Sequence, residues 1–196
     1  MSNYVSVTGG GYDFYECTSA MQKCIRRGLE EQAMFWAIEL ETRFHDYLWK
    51  RLQIISIEDI GIGDPQVVLY VAEMRKLYQE LRKDFEKRGA RSLRMALSNA
   101  ILAMCRATKS RIGDEFGIVM YGRHEDGLHP EIPDFALDQH TKRGKEMGRG
   151  PEHFFSEGIK LKHASSIEDP YFNESVEIIM ARKKKKPRQE SLLEDS

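Results

Sequence analysis

The segment from Lys50 to Pro65, KRLQIISIEDIGIGDP, constrains the fold more than any other stretch of the chain. It reads as a helix that ends at Gly61 and Gly63, because glycine alone reaches positive φ without strain. Asp64 is then suited to cap a new helix, and Pro65 to occupy its first position, where no N–H is needed. The segment therefore predicts two helices joined by a very short turn.

Other parts of the chain carry the same helical pattern. Apolar residues recur every three or four positions over residues 14–27, 29–44, 46–60, 64–86, 91–108 and 112–121, with short breaks between the runs. No stretch shows the alternation that is typical of a β-strand. We therefore predict an all-α, multi-helix bundle whose short connections make neighbouring helices antiparallel.

Changes in composition predict the domain organisation. Residues 1–11 end in three glycines and are expected to be a flexible N-terminus. Residues 12–162 are expected to form one helical domain, with its core at 12–121 and a loop-rich extension at 122–162. In that extension, 122–133 is predicted to be a loop and 134–146 a short helix. Residues 163–196 are expected to be a partly disordered tail, made basic by the run from Arg182 to Lys186 and by Arg188.

Bulk composition limits the class of protein. Hydrophobic residues make up 41% and charged residues 31% of the 196 residues, as in a globular chain, and the formal net charge is −1. Overall charge therefore predicts no attraction to nucleic acid or to a membrane. No apolar run is long enough to cross a bilayer, and the N-terminus lacks a signal peptide. Scattered cysteines at 17, 24 and 105 fit a reducing interior, so we predict a cytoplasmic protein with no membrane partner.

A segment rich in histidine and acidic residues is the first candidate for chemistry. Residues 124–163 hold five of the six histidines. Within it, Asp134, Asp138 and His140 are candidate ligands for a divalent metal, since the predicted helix places the two aspartates on one face. The histidines lack i, i+4 spacing and no H-E-x-x-H is present, so solvated loop histidines are the alternative.

A basic segment overlaps this region. Lys142, Arg143, Lys145 and Arg149 lie among glycines and could hold a phosphate from a nucleotide or from DNA. Phe154 and Phe155 follow and could stack on a base. The alternative is a helix whose basic end complements its dipole, with the phenylalanines packed on the core.

Three groups of residues carry a resemblance to a known family. They are Tyr12-Asp13 with Ser19-Ala20-Met21-Gln22-Lys23, Ile25-Arg26, Ala33 and Phe35-Trp36; Arg51-Leu52 with Ser56-x-Glu58-Asp59-Ile60-Gly61-x-x-Asp64-Pro65; and Ala100 with Ala107-Thr108-Lys109-Ser110. Together they resemble the C-terminal helical region of the MgsA/RarA-type AAA+ ATPases over residues 12–112. The chain departs from the family string at Ile57, which separates Ser56 from Glu58.

The resemblance implies an all-helical oligomerisation domain, related to the collar of clamp-loader ATPases, which builds tetramers. Proteins of the family act in replication-associated recombination and repair. The resemblance marks Arg51, Ser56, Glu58, Asp59, Gly61, Asp64, Pro65, Lys109 and Ser110 as its signature. Only about eleven residues precede the region and no G-x-x-x-x-G-K-[ST] is present, so we expect neither ATPase activity nor a cofactor.

The leading interpretation is therefore a non-catalytic oligomerisation or adaptor module in DNA replication, recombination or repair. Its expected partners are further copies of itself, a separate AAA+ ATPase and DNA. One alternative is a metal- or phosphate-dependent enzyme with its site at 134–150, and another is direct DNA binding through 142–149. Glu58 and Asp59 point about 100° apart on an α-helix and are not expected to form a catalytic pair. We expect one of them to bind a lysine or arginine of a neighbouring helix, or backbone N–H groups at the start of the next helix.

Overall fold

A computed structural model describes residues 6–83 and 91–185 of the chain. The secondary structure of the described residues consists of helices joined by turns and loops, with a single antiparallel bridge between Val7 and Asp13, which confirms the predicted all-α class. The helices are α1 Phe14–Arg26, α2 Glu30–Ile55, α3 Pro65–Lys83, α4 Arg91–Arg106, α5 Ile112–Glu125, α6 Lys142–Glu146, α7 Pro151–His153 and α8 Phe172–Lys185. None of them is long and apolar enough to cross a membrane.

The chain folds as two compact units, Met1–Leu128 and His129–Ser196. Helices α1 to α5 belong to the first unit and α6 to α8 to the second. The sequence-based boundaries at residues 121 and 162 stay a prediction.

Local sequence explains how the first unit begins. The Asp13 carboxylate caps α1 by accepting hydrogen bonds from the N–H groups of Tyr15 and Glu16 at 2.8 and 2.9 Å. Gly28, at a φ of 71°, ends the helix, and the N–H of Leu29 returns to the Cys24 carbonyl. Helix α2, Glu30–Ile55, joins most of the two helices that the sequence predicts at 29–44 and 46–60, because Phe44 only kinks it.

The core of the first unit lies between two helix pairs, α1 with α2 and α3 with α4. The buried cysteines at 17, 24 and 105 are free thiols within it. Its largest fully buried side chains are Trp49, Met21, Ile25, Leu40, Leu48, Leu52, Ile55, Ile60, Leu97, Ile101, Met104 and Val71. Much of the apolar surface of residues 67–81 and 93–104 is therefore used inside this unit.

The predicted flexible N-terminus is anchored over residues 6–11. The Thr8 hydroxyl and the Gly10 N–H both donate to the Glu39 carboxylate, at 2.8 and 2.9 Å. Phe14 N–H donates to the Ser6 carbonyl at 2.9 Å, which closes the turn against the start of α1. The physical reason is a contact between residues far apart in the sequence: the Glu39 carboxylate on α2 accepts hydrogen bonds from the Thr8 hydroxyl and the Gly10 N–H.

Three further elements differ from the sequence-based prediction. Helix α5 continues to Glu125, which shortens the predicted 122–133 loop. The predicted 134–146 helix is instead a 3₁₀ turn, Asp134–Ala136, followed by α6, since Thr141 caps a new helix through the Gly144 N–H. The predicted tail contains α8, while residues 186–196 lie outside the described part of the chain, as does the predicted end of the 64–86 helix.

Candidate functional site

Two signature segments, residues 56–65 and 107–111, pack against each other in the first unit; we call this contact the signature junction. Ser56–Ile60 forms a π-helical turn at the end of α2, and Gly61–Gly63 forms a 3₁₀ turn. The Ser110 N–H donates to the Asp59 carbonyl at 3.0 Å, which joins the two segments. Asp64 then caps α3 by accepting from the Val67 N–H at 3.2 Å.

An ion network lies at the centre of the junction. The Asp59 side chain is fully buried and accepts from Arg26 Nε at 2.8 Å and from Arg111 Nη1 at 2.9 Å. Gln22 Nε2 donates to the second Asp59 oxygen at 3.2 Å. Arg51 donates to the Gln22 amide oxygen, and so holds that amide in the orientation that faces Asp59.

Glu58 joins the same pair of arginines. Its carboxylate accepts from Arg111 Nη1 at 2.8 Å and lies 3.4 Å from Arg26 Nη2. The sequence predicts an arginine or lysine partner for one of the two residues, and in the structure both have arginine partners. The prediction that the two carboxylates do not converge is wrong, because Arg26 and Arg111 each contact both of them.

Within the network, the ion pairs shift the pKa of Arg111. Hydrogen bonds to Glu58 and then to Asp59 raise the pKa of the Arg111 guanidinium above its ordinary value. Arg111 also pairs with Asp114 in the first turn of α5, so the network fixes the start of that helix. A buried charge is tolerated only when paired and hydrogen-bonded, and Asp59 meets both conditions.

Lys109 secures the other side of the junction. Its ammonium donates to the carbonyls of Met104, Cys105 and Ala107 at 2.7, 3.0 and 2.9 Å, and so caps the end of α4. Desolvation lowers the pKa of Lys109, which is consistent with an ammonium enclosed by backbone. Ser56 is buried as well, and its hydroxyl donates to the Gln53 carbonyl at 2.7 Å.

Both glycines of the turn are required by geometry. Gly61 has a φ of 47° and a ψ of −124°, a conformation that side chains disfavour. A methyl group at Gly63 would lie 2.7 Å from the Thr108 carbonyl oxygen, so only glycine permits this approach of the two segments.

An apolar surface borders the junction on its solvent side. A groove of about 680 Å³ is lined by Ile54, Ile57, Ile62, Pro65, Val68 and Leu69, with Gly113 and Asp114 of α5. Helix α5 continues from its edge and has no buried residue. Phe116, Ile118 and Tyr121 on α5 are 65%, 68% and 75% exposed. A helix this apolar normally lies against another surface.

The basic segment of the second unit divides into two parts. Lys142, Arg143 and Lys145 are exposed on α6. Arg149 instead donates to the carbonyls of Asp134 and Leu137 at 2.7 and 2.8 Å and pairs with the Asp134 carboxylate. Its guanidinium thus holds the 134–137 turn. This structural role competes with the phosphate binding that the sequence predicts for Arg149.

The candidate metal ligands also have separate partners. Asp138 binds His140 through its backbone N–H at 2.9 Å and its Nδ1 at 3.0 Å, and these bonds lower the pKa of Asp138. Asp134 pairs with Arg149. Within residues 6–83 and 91–185, no three His, Cys, Asp or Glu side chains are grouped so that they could hold a metal.

The phenylalanines after the basic segment pack within their own unit. Phe154 meets the His140 ring edge-on at 5.3 Å, and Phe155 contacts Phe154 and Phe172 in the same manner. These contacts correspond to the packing alternative in the sequence analysis rather than to free stacking surfaces.

The fold and the signature junction define a small all-helical domain in which a buried ion network links the two helix pairs, α1 with α2 and α3 with α4. The sequence model of the family described as MgsA AAA+ ATPase C terminal matches residues 30–191. The chain belongs to this family, as its resemblance predicted, and the match extends well beyond residue 112.

Known relatives agree with this assignment. The chain is 30% identical over 142 residues to replication-associated recombination protein A of Bacillus subtilis, covering 69% of this chain and 31% of the relative. It is 26% identical to the proteins of that name from Haemophilus influenzae and Escherichia coli K12, over 74% of this chain and 32% of each relative. The chain thus spans about a third of the length of these curated relatives.

Sequence reasoning assigned no role to Gln22, Arg26 or Arg111, which complete the ion network. Gln22 and Arg26 belong to the first group of residues that carry the resemblance, and Arg111 directly follows Ser110. Their closeness in sequence to signature residues is the signal from which a part in the same site could have been inferred.

Proposed function

We propose that this chain is a non-catalytic helical module that assembles copies of itself in DNA replication, recombination or repair. The observation that carries the proposal is the apolar surface formed by α5 and the adjoining groove. The relatives named replication-associated recombination protein A support the process. The cytoplasmic location predicted from the sequence belongs to the same proposal.

The signature junction has a structural part in this function. Its ion network orients the turn between α2 and α3 and the first turn of α5, which are the elements that frame the groove. Contact with a second copy would therefore be made by a surface whose backbone is already fixed, and a fixed surface loses less conformational entropy on binding.

Size-exclusion chromatography with light scattering tests self-assembly. We expect a mass that is a multiple of 22.7 kDa at micromolar concentration, and a tetramer is the state that the family resemblance implies. A stable mass of 22.7 kDa at high micromolar concentration contradicts the proposal. A separately encoded AAA+ ATPase is a second proposed partner, and co-elution of the two purified proteins tests it.

Direct DNA binding is a second candidate function, favoured by the three exposed basic side chains on α6. Replacing Lys142, Arg143 and Lys145 by alanine is expected to lower affinity for a DNA duplex and to reduce its salt dependence, since fewer counterions are released. Fluorescence anisotropy across a salt series measures both quantities. Salt-independent binding, or equal binding by the triple variant, contradicts this candidate.

Arg149 supplies the matched control for that experiment. Because its guanidinium is engaged with the 134–137 turn, Arg149→Ala should lower thermal stability and leave the salt dependence of DNA binding nearly unchanged.

A further inference from the structure

Positive charge is concentrated at one end of the α3–α4 pair. Helix α3 ends with Arg82 and Lys83, and α4 begins with Arg91 and has Arg94 one turn later. The two helices pack against each other and are connected by residues 84–90 alone, so the end of α3 lies close to the start of α4. All four side chains are exposed, and we call these four residues the basic corner.

Few acidic residues of these helices can neutralise the corner. Helix α4 contains no acidic residue, and Glu80 is the only one in the last two turns of α3. In the sequence, the connecting residues add two acidic and two basic side chains, so they leave the charge of this segment unchanged. The corner is therefore locally basic in a chain whose formal net charge is −1.

Most other arginines of the first unit are bound within it. Side chains that donate to an acceptor of the protein are those of Arg26, Arg27, Arg43, Arg51, Arg75, Arg106 and Arg111. Over residues 6–83 and 91–185, the side chains of the basic corner donate to no such acceptor, and Arg123 on α5 is the other arginine of the unit in that state. Guanidinium groups without an acceptor are thus gathered mainly at the corner.

Helix electrostatics does not explain the corner. The dipole of α3 favours basic residues at its end, but Arg91 and Arg94 lie in the first turn of α4, where the dipole disfavours positive charge. They are three residues apart and therefore neighbours on the helix surface. Two arginines that oppose the helix dipole and bind no group of the protein are available to an external anion.

The surroundings of these arginines fit a phosphate backbone better than an acidic protein surface. Interfaces between proteins have an apolar core, whereas Met95 is the only exposed large apolar side chain between residues 91 and 99. Arginine binds phosphate through two parallel hydrogen bonds. Most of the contacts that nucleic-acid-binding proteins make to the backbone come from such exposed basic side chains.

We propose that the basic corner binds the phosphate backbone of a nucleic-acid duplex through Arg91 and Arg94, with Arg82 and Lys83 as further contacts. This inference goes beyond the proposed function, because it places nucleic-acid binding on the first unit, independently of α6 and of self-assembly. A duplex is favoured over a single strand, since it carries one charge per about 1.7 Å of its axis. Contacts to phosphates carry no base information, so binding is independent of base sequence.

The salt dependence of binding tests the two arginines. Arg91→Ala combined with Arg94→Ala removes two phosphate contacts, so the slope of log K against log salt should become shallower by about 1.8, and the affinity at about 0.1 M salt should fall at least about tenfold. Arg91→Lys combined with Arg94→Lys keeps both charges and should keep the slope. Fluorescence anisotropy of a labelled DNA duplex over a salt series measures both quantities, and circular dichroism checks that each variant keeps its helicity.

Arg27→Ala combined with Arg123→Ala is the matched control. It also removes two exposed positive charges, but Arg27 directly follows α1 and Arg123 lies on α5. Its slope and affinity should stay close to those of the wild type. Polyglutamate is the second control: at equal charge it should displace the duplex poorly, whereas a site for an acidic protein segment would accept it.

The outcomes separate this inference from the proposed function. A loss confined to the Arg91→Ala, Arg94→Ala variant supports the basic corner. Equal losses in the two alanine double variants, an unchanged slope in the first of them, or efficient displacement by polyglutamate overturns it. A loss only in the triple alanine variant of α6 overturns it as well and supports α6 instead. A wild-type protein that binds no duplex overturns both nucleic-acid surfaces, while self-assembly is decided separately by the mass measurement.

Discussion

Replacing Asp59 by alanine is expected to lower the free energy of unfolding by about 3 kcal/mol, because the buried carboxylate is the shared partner of two guanidinium groups. Asp59 is 0% exposed and accepts from Arg26, Arg111 and Gln22. Its removal leaves a void and three donors without their acceptor. Both arginines retain some solvent access, which keeps the expected loss at the lower end of the range for a broken buried pair.

Urea unfolding followed by circular dichroism, at one fixed protein concentration, measures this effect. A loss of about 3 kcal/mol corresponds to roughly 6–12 °C in Tm for a chain of this length. Glu58→Ala is the matched control, since Glu58 contacts the same arginines but is 26% exposed and should cost about 1 kcal/mol or less. Equal losses in the two variants would show that Asp59 does not hold the junction.

The second large effect is expected at Gly63. Gly63→Ala should cost about 2 kcal/mol, because the new methyl group would lie 2.7 Å from the Thr108 carbonyl oxygen and 3.1 Å from the Ser110 side chain. The opposing atom is backbone, so the two segments of the signature junction must separate to relieve the contact.

Gly122→Ala provides the comparison. Its added methyl group would meet no atom within 4 Å, and alanine favours a helix over glycine, so this variant should be as stable as the wild type or about 0.5–1 kcal/mol more stable. The same denaturation series compares the two variants. An unaltered Gly63→Ala protein would mean that the close approach of residues 61–63 to 108–110 is not required.

Local signals allowed much of the helical framework to be predicted. Asp13 and Asp64 cap helices through side-chain hydrogen bonds to nearby N–H groups, and Gly28 and Pro65 act through their backbone geometry. All four effects are local, so they could be predicted from neighbouring residues alone. Helix α8 was missed because its sequence is largely polar and gives little periodic signal.

The signature junction could be located from the sequence, but its chemistry could not. Glu58 and Asp59 converge because Arg26 and Arg111 each contact both carboxylates, and Arg111 lies more than fifty residues away in the sequence. The engagement of Arg149 with backbone carbonyls has the same character, since hydrogen bonds to the main chain leave no mark in composition. Long-range pairing is the part that required the structure.

The most direct test of the central claim, that the apolar surface of the first unit serves assembly, is sedimentation equilibrium of the wild type beside Phe116→Glu. Phe116 is exposed on α5, so the charge should not disturb the fold. We predict a wild-type mass that is a multiple of 22.7 kDa and a variant mass that falls toward 22.7 kDa, with equal helicity and Tm. A wild type of 22.7 kDa, or a variant that assembles as well as the wild type, would contradict the claim.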